Sequence, residues 1–474
     1  MTMIIVILYV RVNPERDTFS HSGEVYTSNT AQYAALKYRL NRSAIIYGAN
    51  ASGKSNLILA LGFVQLLLLN AVRSTPTGGM RTLDHPLLRP FLLDPQTRQA
   101  PTEFELTFLH NDVRYQYGLL LDRQRIYEEW LIAFPKGQPQ TWFERRWSVV
   151  PPTLPNIREQ HELFDTTEVI DSARGDYTWY FGPRLVGEKQ RLADLTRPDV
   201  PFLAAAAIFG NTQLRDTFAW FTNQFAVLNP WGHPDLLGQT ARQTLHDPSL
   251  RDRLRELLLH ADIGIADYSV RVIPVGDDPV FSAVPEQLLS AMTTLEFQRI
   301  EMTMRHQATG LPEGMLDLTS DDESLGTRRF FAIAGPIITA LDRGQTLAVD
   351  EIDDSLHPLL VRRLIELFHS PATNPHGAQL IVNTHDATML DTRLFRRDQI
   401  WFTEKDDAGA SRLYPLSDYS PRKEESLSKG YLHGRYGAVP MLTEFGASLK
   451  EPYAETQRPR RRKKGEDDDG EAAR

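Results

Sequence analysis

The sequence predicts an α/β fold: a doubly wound core built on a phosphate loop, an antiparallel β-subdomain beside it, and a mainly helical insertion. Three observations predict it. The octapeptide Gly48-Ala-Asn-Ala-Ser-Gly-Lys-Ser55 stands between the apolar run Ala44–Tyr47 and the helical pattern Asn56–Leu61, which is the strand–loop–helix setting such a loop needs. Short runs of alternating apolar and polar residues fill Phe91 to Trp147. Buried-strand runs then return after Gly344, far along the chain from the loop they must join.

Taken in order, the apolar stretch Met1 to Val10 is too short to span a bilayer. It carries no basic start and no small-residue cleavage site, so it reads as a first strand. Glu103–Leu109 and Val113–Leu121 alternate as half-buried strands, with turns at His110-Asn-Asp112 and Pro135-Lys-Gly137. These close an N-terminal lobe at residues 1–150. From 151 to 310 the periodicity turns helical, as in Leu250–His260, without a sustained heptad. A C-terminal lobe follows at 311–445, with strands expected at Thr346–Asp350, Ala378–Asn383 and Gln399–Phe402 and a helix at Leu359–Phe368. Residues 446–474 hold a basic block and then an acidic one without apolar content, the composition of a disordered tail.

Bulk composition narrows the function classes. With 474 residues, 41% hydrophobic and 24% charged, the chain has the make-up of a soluble protein of two or three globular parts. The absence of cysteine excludes disulfides, thiolate zinc sites and cysteine nucleophiles. A net charge of −9 argues against a globally basic nucleic-acid binder. The default location is the cytoplasm, and no membrane partner is expected.

The octapeptide carries the first chemistry. Gly48 and Gly53 let the backbone wrap a phosphate, while Asn50, Ser52 and Asn56 lie in or beside the wrapped segment. Lys54 reaches the outer phosphates of a nucleoside triphosphate, ATP, and the Ser55 hydroxyl ligates Mg²⁺. The second half of such a site sits at Leu347-Ala-Val-Asp350-Glu351. Asp350 ends an apolar strand where it can hold the metal, and Glu351 is placed as general base on the attacking water. His385 follows the next strand, where a histidine can donate to the γ-phosphate. Ser320-Asp-Asp-Glu323 has capping-box form, and Ser324 and Gly326 open a helix whose N-terminus is a second phosphate-binding end. Trp142–Trp147 and Gly434–Pro440 read as a β-subdomain strand and a tight surface turn.

In this order, with a large insertion after the first motif, these elements are similar to the ABC-type ATPase heads of the structural-maintenance-of-chromosomes branch. More closely the chain resembles compact prokaryotic AAA-type ATP-binding proteins of anti-phage operons. The resemblance covers most of residues 40–445, through Tyr47–Asn56, Asp350–Pro358, Arg396–Phe402 and Tyr431–Pro440. It implies an ATP sandwich between two copies, with Ser324 and Gly326 acting on the neighbour's ATP, and hence a homodimer or higher homo-oligomer. It also implies a regulatory, ATP-hydrolysing sensor that answers a phage protein or nucleic acid and controls a separate effector, a Toprim-like nuclease. Leu325 stands where the usual signature has a first glycine, and residues 11–25 lack the Asn-Phe-Arg-Ser-Phe-like stretch of the family. The alternative reading is an SMC-like ATPase of DNA repair or DNA clamping, which would want a coiled coil or a basic face.

Overall fold

The computed structural model describes residues 2–7, 29–32, 39–71, 82–148, 169–170, 177–228, 235–273, 299–311, 314–419, 421 and 425–440. The stretch 11–25 and the charged tail 446–474 lie outside the described residues. Two sheets organise the rest. The core sheet runs, in spatial order, Phe225–Leu228, Thr346–Val349, Gln379–Asn383, Ser43–Gly48, Ile400–Lys405 and Ser411–Pro415. Its first five strands are parallel, and the last returns antiparallel as a hairpin. Every residue of Ser43–Gly48 is buried, as a central parallel strand covered on both faces requires.

The second sheet is the β-lobe: Thr2–Ile7, Thr102–His110, Val113–Leu121, Ile126–Phe134, Gln140–Trp147, Tyr177–Phe181 and Val169–Ile170. It is antiparallel except that Thr2–Ile7 lies parallel to Thr102–His110. The alternation read from Phe104, Leu106 and Phe108 puts these side chains on the inner face, against the phosphate-loop helix Lys54–Asn70. Trp142 is buried in an interior strand, edge-on to Tyr115 at 5.5 Å, and belongs to this packing. Within the same lobe Arg145 and Glu129 form a fully buried ion pair at 2.9 Å. Glu129 also accepts from the backbone N–H groups of Phe202 and Leu203, which opens the helix Phe202–Ile208.

Residues 177–310 divide between layers. Tyr177–Phe181 joins the β-lobe, and Phe225–Leu228 is the edge strand of the core sheet, pairing Leu228 with Val349. Gln65 of the phosphate-loop helix donates to Phe225 O at 2.6 Å, which ties that helix to the same edge. Farther on, the helices Leu236–His246 and Pro248–His260 pack on the helix Leu325–Arg343. A three-stranded antiparallel sheet, Ile265–Ile273, Arg299–Gln307 and Met315–Thr319, leads directly into that helix. These strands escape a reading by helical periodicity because they are short or half-exposed.

Pro336 stands inside Leu325–Arg343 and has no N–H for the carbonyl four residues back. That carbonyl, Ala332 O, instead accepts from the Thr240 hydroxyl at 2.8 Å. Thr240 comes this close because its neighbour is Gly335: a Cβ there would lie 2.5 Å from the Thr240 methyl carbon. Gly344 ends the helix in the left-handed conformation, φ 65°. Among the described residues, no helix is long and apolar enough to cross a membrane.

Candidate functional site

The loop between Gly48 and Lys54 emerges from the centre of the core sheet, at the carboxyl ends of its parallel strands. Gly48 has no room for a side chain: a Cβ there would collide with the Ser52 and Thr403 hydroxyls. Those hydroxyls bond each other at 2.6 Å, and Thr403 Oγ1 donates to Tyr47 O at 3.2 Å. Gly53 caps the helix with φ 107°, a left-handed turn only glycine adopts freely, and abuts Ser411 of the edge hairpin. Asn50 and Asn56 are exposed, whereas Ser52 is buried beneath the loop.

Lys54 folds back into the cradle. Its Nζ donates to Gly48 O at 2.8 Å and Ala49 O at 3.1 Å. Burial pulls its ammonium below the usual lysine range, and the carboxylates of Glu351, Asp353 and Asp350 push it back up. The cation thus faces all three acidic groups that follow the strand Thr346–Val349. Ser55, in the first helical turn, is partly exposed at the rim of the loop.

Asp350 and Glu351 are held by Asn383, which the sequence reading did not single out. Asn383 Nδ2 donates to Asp350 Oδ1 at 2.6 Å, and its Oδ1 accepts from the Glu351 N–H at 2.5 Å. That bond holds Glu351 at φ 51°, a left-handed conformation costly for a side chain with a Cβ. The Glu351 side chain stays exposed while Asp350 is buried. Asp350 N–H donates across to Leu228 O at 3.0 Å, and Arg329 Nη2 reaches Glu351 O at 3.3 Å. A signal for Asn383 was present: a polar residue closing the apolar strand Leu380–Val382, two positions before His385. His385 is exposed, and its backbone N–H donates to Asp353 Oδ2 at 3.2 Å.

The structure moves the expected cap. Ser324, and not Ser320, caps Leu325–Arg343, its hydroxyl accepting from Thr327 N–H at 3.1 Å. Glu323 instead turns to His306 of the three-stranded sheet, Oε1 to Nε2 at 2.5 Å. Gly326 abuts Ser355: a Cβ would lie 2.7 Å from Ser355 O. The helix start therefore packs on the loop after Glu351, with Ser324 exposed. His357 takes the helix-start role, its Nδ1 accepting from Leu359 N–H at 3.2 Å.

The donor set suits a triphosphate carrying its own Mg²⁺. Among the described residues, no group of three or more histidine, aspartate or glutamate side chains could hold a metal alone. A hydroxyl at Ser55, one buried carboxylate at Asp350 and a glycine cradle match an ion that keeps waters and phosphate oxygens as ligands.

Comparison with known proteins adds a family. The family model described as "AAA domain, putative AbiEii toxin, Type IV TA system" matches residues 43–391, more than half of the chain. No curated protein matches. Among solved structures, an Smc head domain with a coiled coil and joint from Pyrococcus yayanosii is 19% identical. That match covers 40% of this chain and only 30% of that one, with a TM-score of 0.25. An SmcHead bound to the C-winged helix domain of ScpA is 15% identical, covering 80% of this chain and 92% of that one, TM-score 0.33. An SMC head domain from Thermotoga maritima is 13% identical over 81% of this chain and 96% of that one, TM-score 0.32.

Proposed function

The chain belongs to this AAA domain family, and from that premise we propose that it is a cytoplasmic, Mg²⁺-dependent ATP-hydrolysing regulator of a bacterial anti-phage system. The observation that carries hydrolysis, beyond binding, is the Asn383 clamp: one side chain fixes Asp350 and the backbone of Glu351 opposite the Lys54 cradle. Lys54 exchanges its bonds to Gly48 O and Ala49 O for the outer phosphate oxygens. Ser55 and Asp350 would hold Mg²⁺, which would supply positive charge against that developing on the phosphates. Glu351 takes a proton from the water that attacks the γ-phosphorus, the bond to the β,γ-bridging oxygen breaks, and ADP leaves with that electron pair. His385 donates to the γ-phosphate.

Ser324 and Gly326 do not cap the chain's own loop in this reading. Gly326 abuts Ser355, which leaves the exposed Ser324 end of the helix for the ATP of a second copy. ATP then tightens a homodimer or larger ring, and hydrolysis loosens it. The toxin and toxin–antitoxin wording of the family's description supports a defence role. The effector is a separate protein, a Toprim-like nuclease in the systems the chain resembles, and the trigger is a phage protein or nucleic acid.

Purified Glu351→Gln should accumulate as an ATP-bound oligomer, and Lys54→Ala should lose ATP binding and turnover. Wild-type hydrolysis in both variants would overturn the site. The neighbouring gene separates the readings: a small nuclease-like frame supports defence, and an exonuclease supports DNA repair.

A further inference from the structure

The described chain closes with the short helix Leu427–Leu432 and a turn through Pro440, and none of the steps above uses it. This segment does not lie loose on the surface. The Tyr431 ring stacks on Phe402 at 5.6 Å and meets Tyr47 edge-on at 5.5 Å. Both partners immediately precede loop-bearing residues: Tyr47 comes before Gly48, and Phe402 before Thr403, whose hydroxyl bonds Tyr47 O and Ser52. The Tyr431 hydroxyl donates to Ala438 O at 3.2 Å, so the turn folds around it. Burial pushes the Tyr431 phenol up. Tyr436 is fully buried against Phe402, and position 437 suits glycine twice over: its φ of 66° is left-handed, and a Cβ would lie 2.7 Å from the Tyr414 hydroxyl. On the far side, the Tyr47 hydroxyl donates to Asp386 O at 3.2 Å, joining this stack to the turn that carries His385.

We infer that Tyr431 is a positioning residue of the phosphate loop: its ring braces Tyr47 and Phe402, which lead into Gly48, whose carbonyl carries Lys54, and into Thr403, whose hydroxyl holds Ser52. The inference rests on the reading of that loop as the ATP site. Without the ring, Tyr47 and Phe402 lose their shared brace, and bound nucleotide must order the start of the loop itself. Once the loop is filled, the hydrolytic groups are unchanged. The loss therefore falls on affinity and KM, and kcat is spared.

The test uses the full chain and a fluorescent ATP analogue. Tyr431→Leu removes the ring, and Tyr431→Phe keeps it and removes one oxygen. The Kd of Tyr431→Leu should rise about three- to tenfold, the weight of one or two aromatic contacts, with kcat within about twofold of wild type, and Tyr431→Phe should bind as wild type does. Tyr419→Phe, at the exposed outer edge of the same aromatic stack, should bind as wild type does. An unchanged Kd for Tyr431→Leu, or an equal rise in Tyr431→Phe or Tyr419→Phe, overturns the inference. Lys54→Ala run in parallel keeps the two readings apart. If it binds the analogue as wild type does, the site assignment fails; if it loses binding while Tyr431→Leu stays normal, only the positioning role fails.

Discussion

Replacing Asn383 with alanine tests the hydrolytic half of the site without touching any group proposed to contact the nucleotide. Two bonds disappear, one to the Asp350 carboxylate at 2.6 Å and one from the Glu351 amide at 2.5 Å. The second is the consequential one, because Glu351 is held at φ 51°. A left-handed conformation costs a residue with a Cβ about 1–2 kcal/mol relative to its relaxed states. Released, Glu351 occupies the competent conformer only about one part in five to one part in thirty of the time, since 1.4 kcal/mol is about tenfold. The turnover number should fall by that factor, about 5- to 30-fold. Lys54 and the glycine cradle are untouched, so the ATP Kd should move less than about twofold. Phosphate release at saturating ATP, with nucleotide titration of the same preparation, reads both quantities. Wild-type turnover in Asn383→Ala, or a loss confined to Kd, refutes the chain of reasoning from backbone conformation to catalysis.

Thr240→Val keeps the shape but leaves Ala332 O without its donor beside Pro336. It should cost about 1–3 kcal/mol in urea unfolding, and Thr240→Ser should recover most of it. Arg145→Met strands the Glu129 carboxylate in the β-lobe and should cost about 3–5 kcal/mol; the double replacement with Glu129→Leu should be milder than the single one. Glu103 is buried with one carboxylate oxygen lacking a partner, and burial with the nearby Glu105 and Glu128 charges raises its pKa from 4.5 to about 7. A carboxyl raised by folding favours the native state below its unfolded pKa, and this advantage is lost as pH climbs through the folded value. Glu103→Gln should therefore melt higher than wild type above pH ~7, and the two melting curves should converge toward pH ~4.5.

Much of the core was legible because its signals are local. Gly48–Ser55 needs glycine and lysine at fixed spacing, the buried parallel strands read as apolar runs, and the antiparallel lobe alternates, so Val113–Leu121 came out with its ends in place. What escaped depends on contacts remote in sequence. Asn383 acts on residues 33 and 32 positions away, and Thr403 bonds Ser52 across 351 positions. The polar end of the strand Leu380–Val382 points to Asn383 but not to the residues it holds, and nothing near Thr403 points to Ser52. The cap at Ser324 was misread as Ser320 because both local patterns fit, and the choice was made by His306, which takes Glu323 out of a capping box. Phe225–Leu228 is four residues long, too short for periodicity to register.

That edge strand ties the residues just before it to the centre of the molecule. Leu228 lends its carbonyl to Asp350, and Phe225 lends its own to Gln65 on the helix behind Lys54. A pull on this outer ribbon arrives at both halves of the pocket: at Asp350 through Leu228 and the ladder with Thr346–Val349, and at the helix behind Lys54 through Gln65, which binds both Phe221 O and Phe225 O.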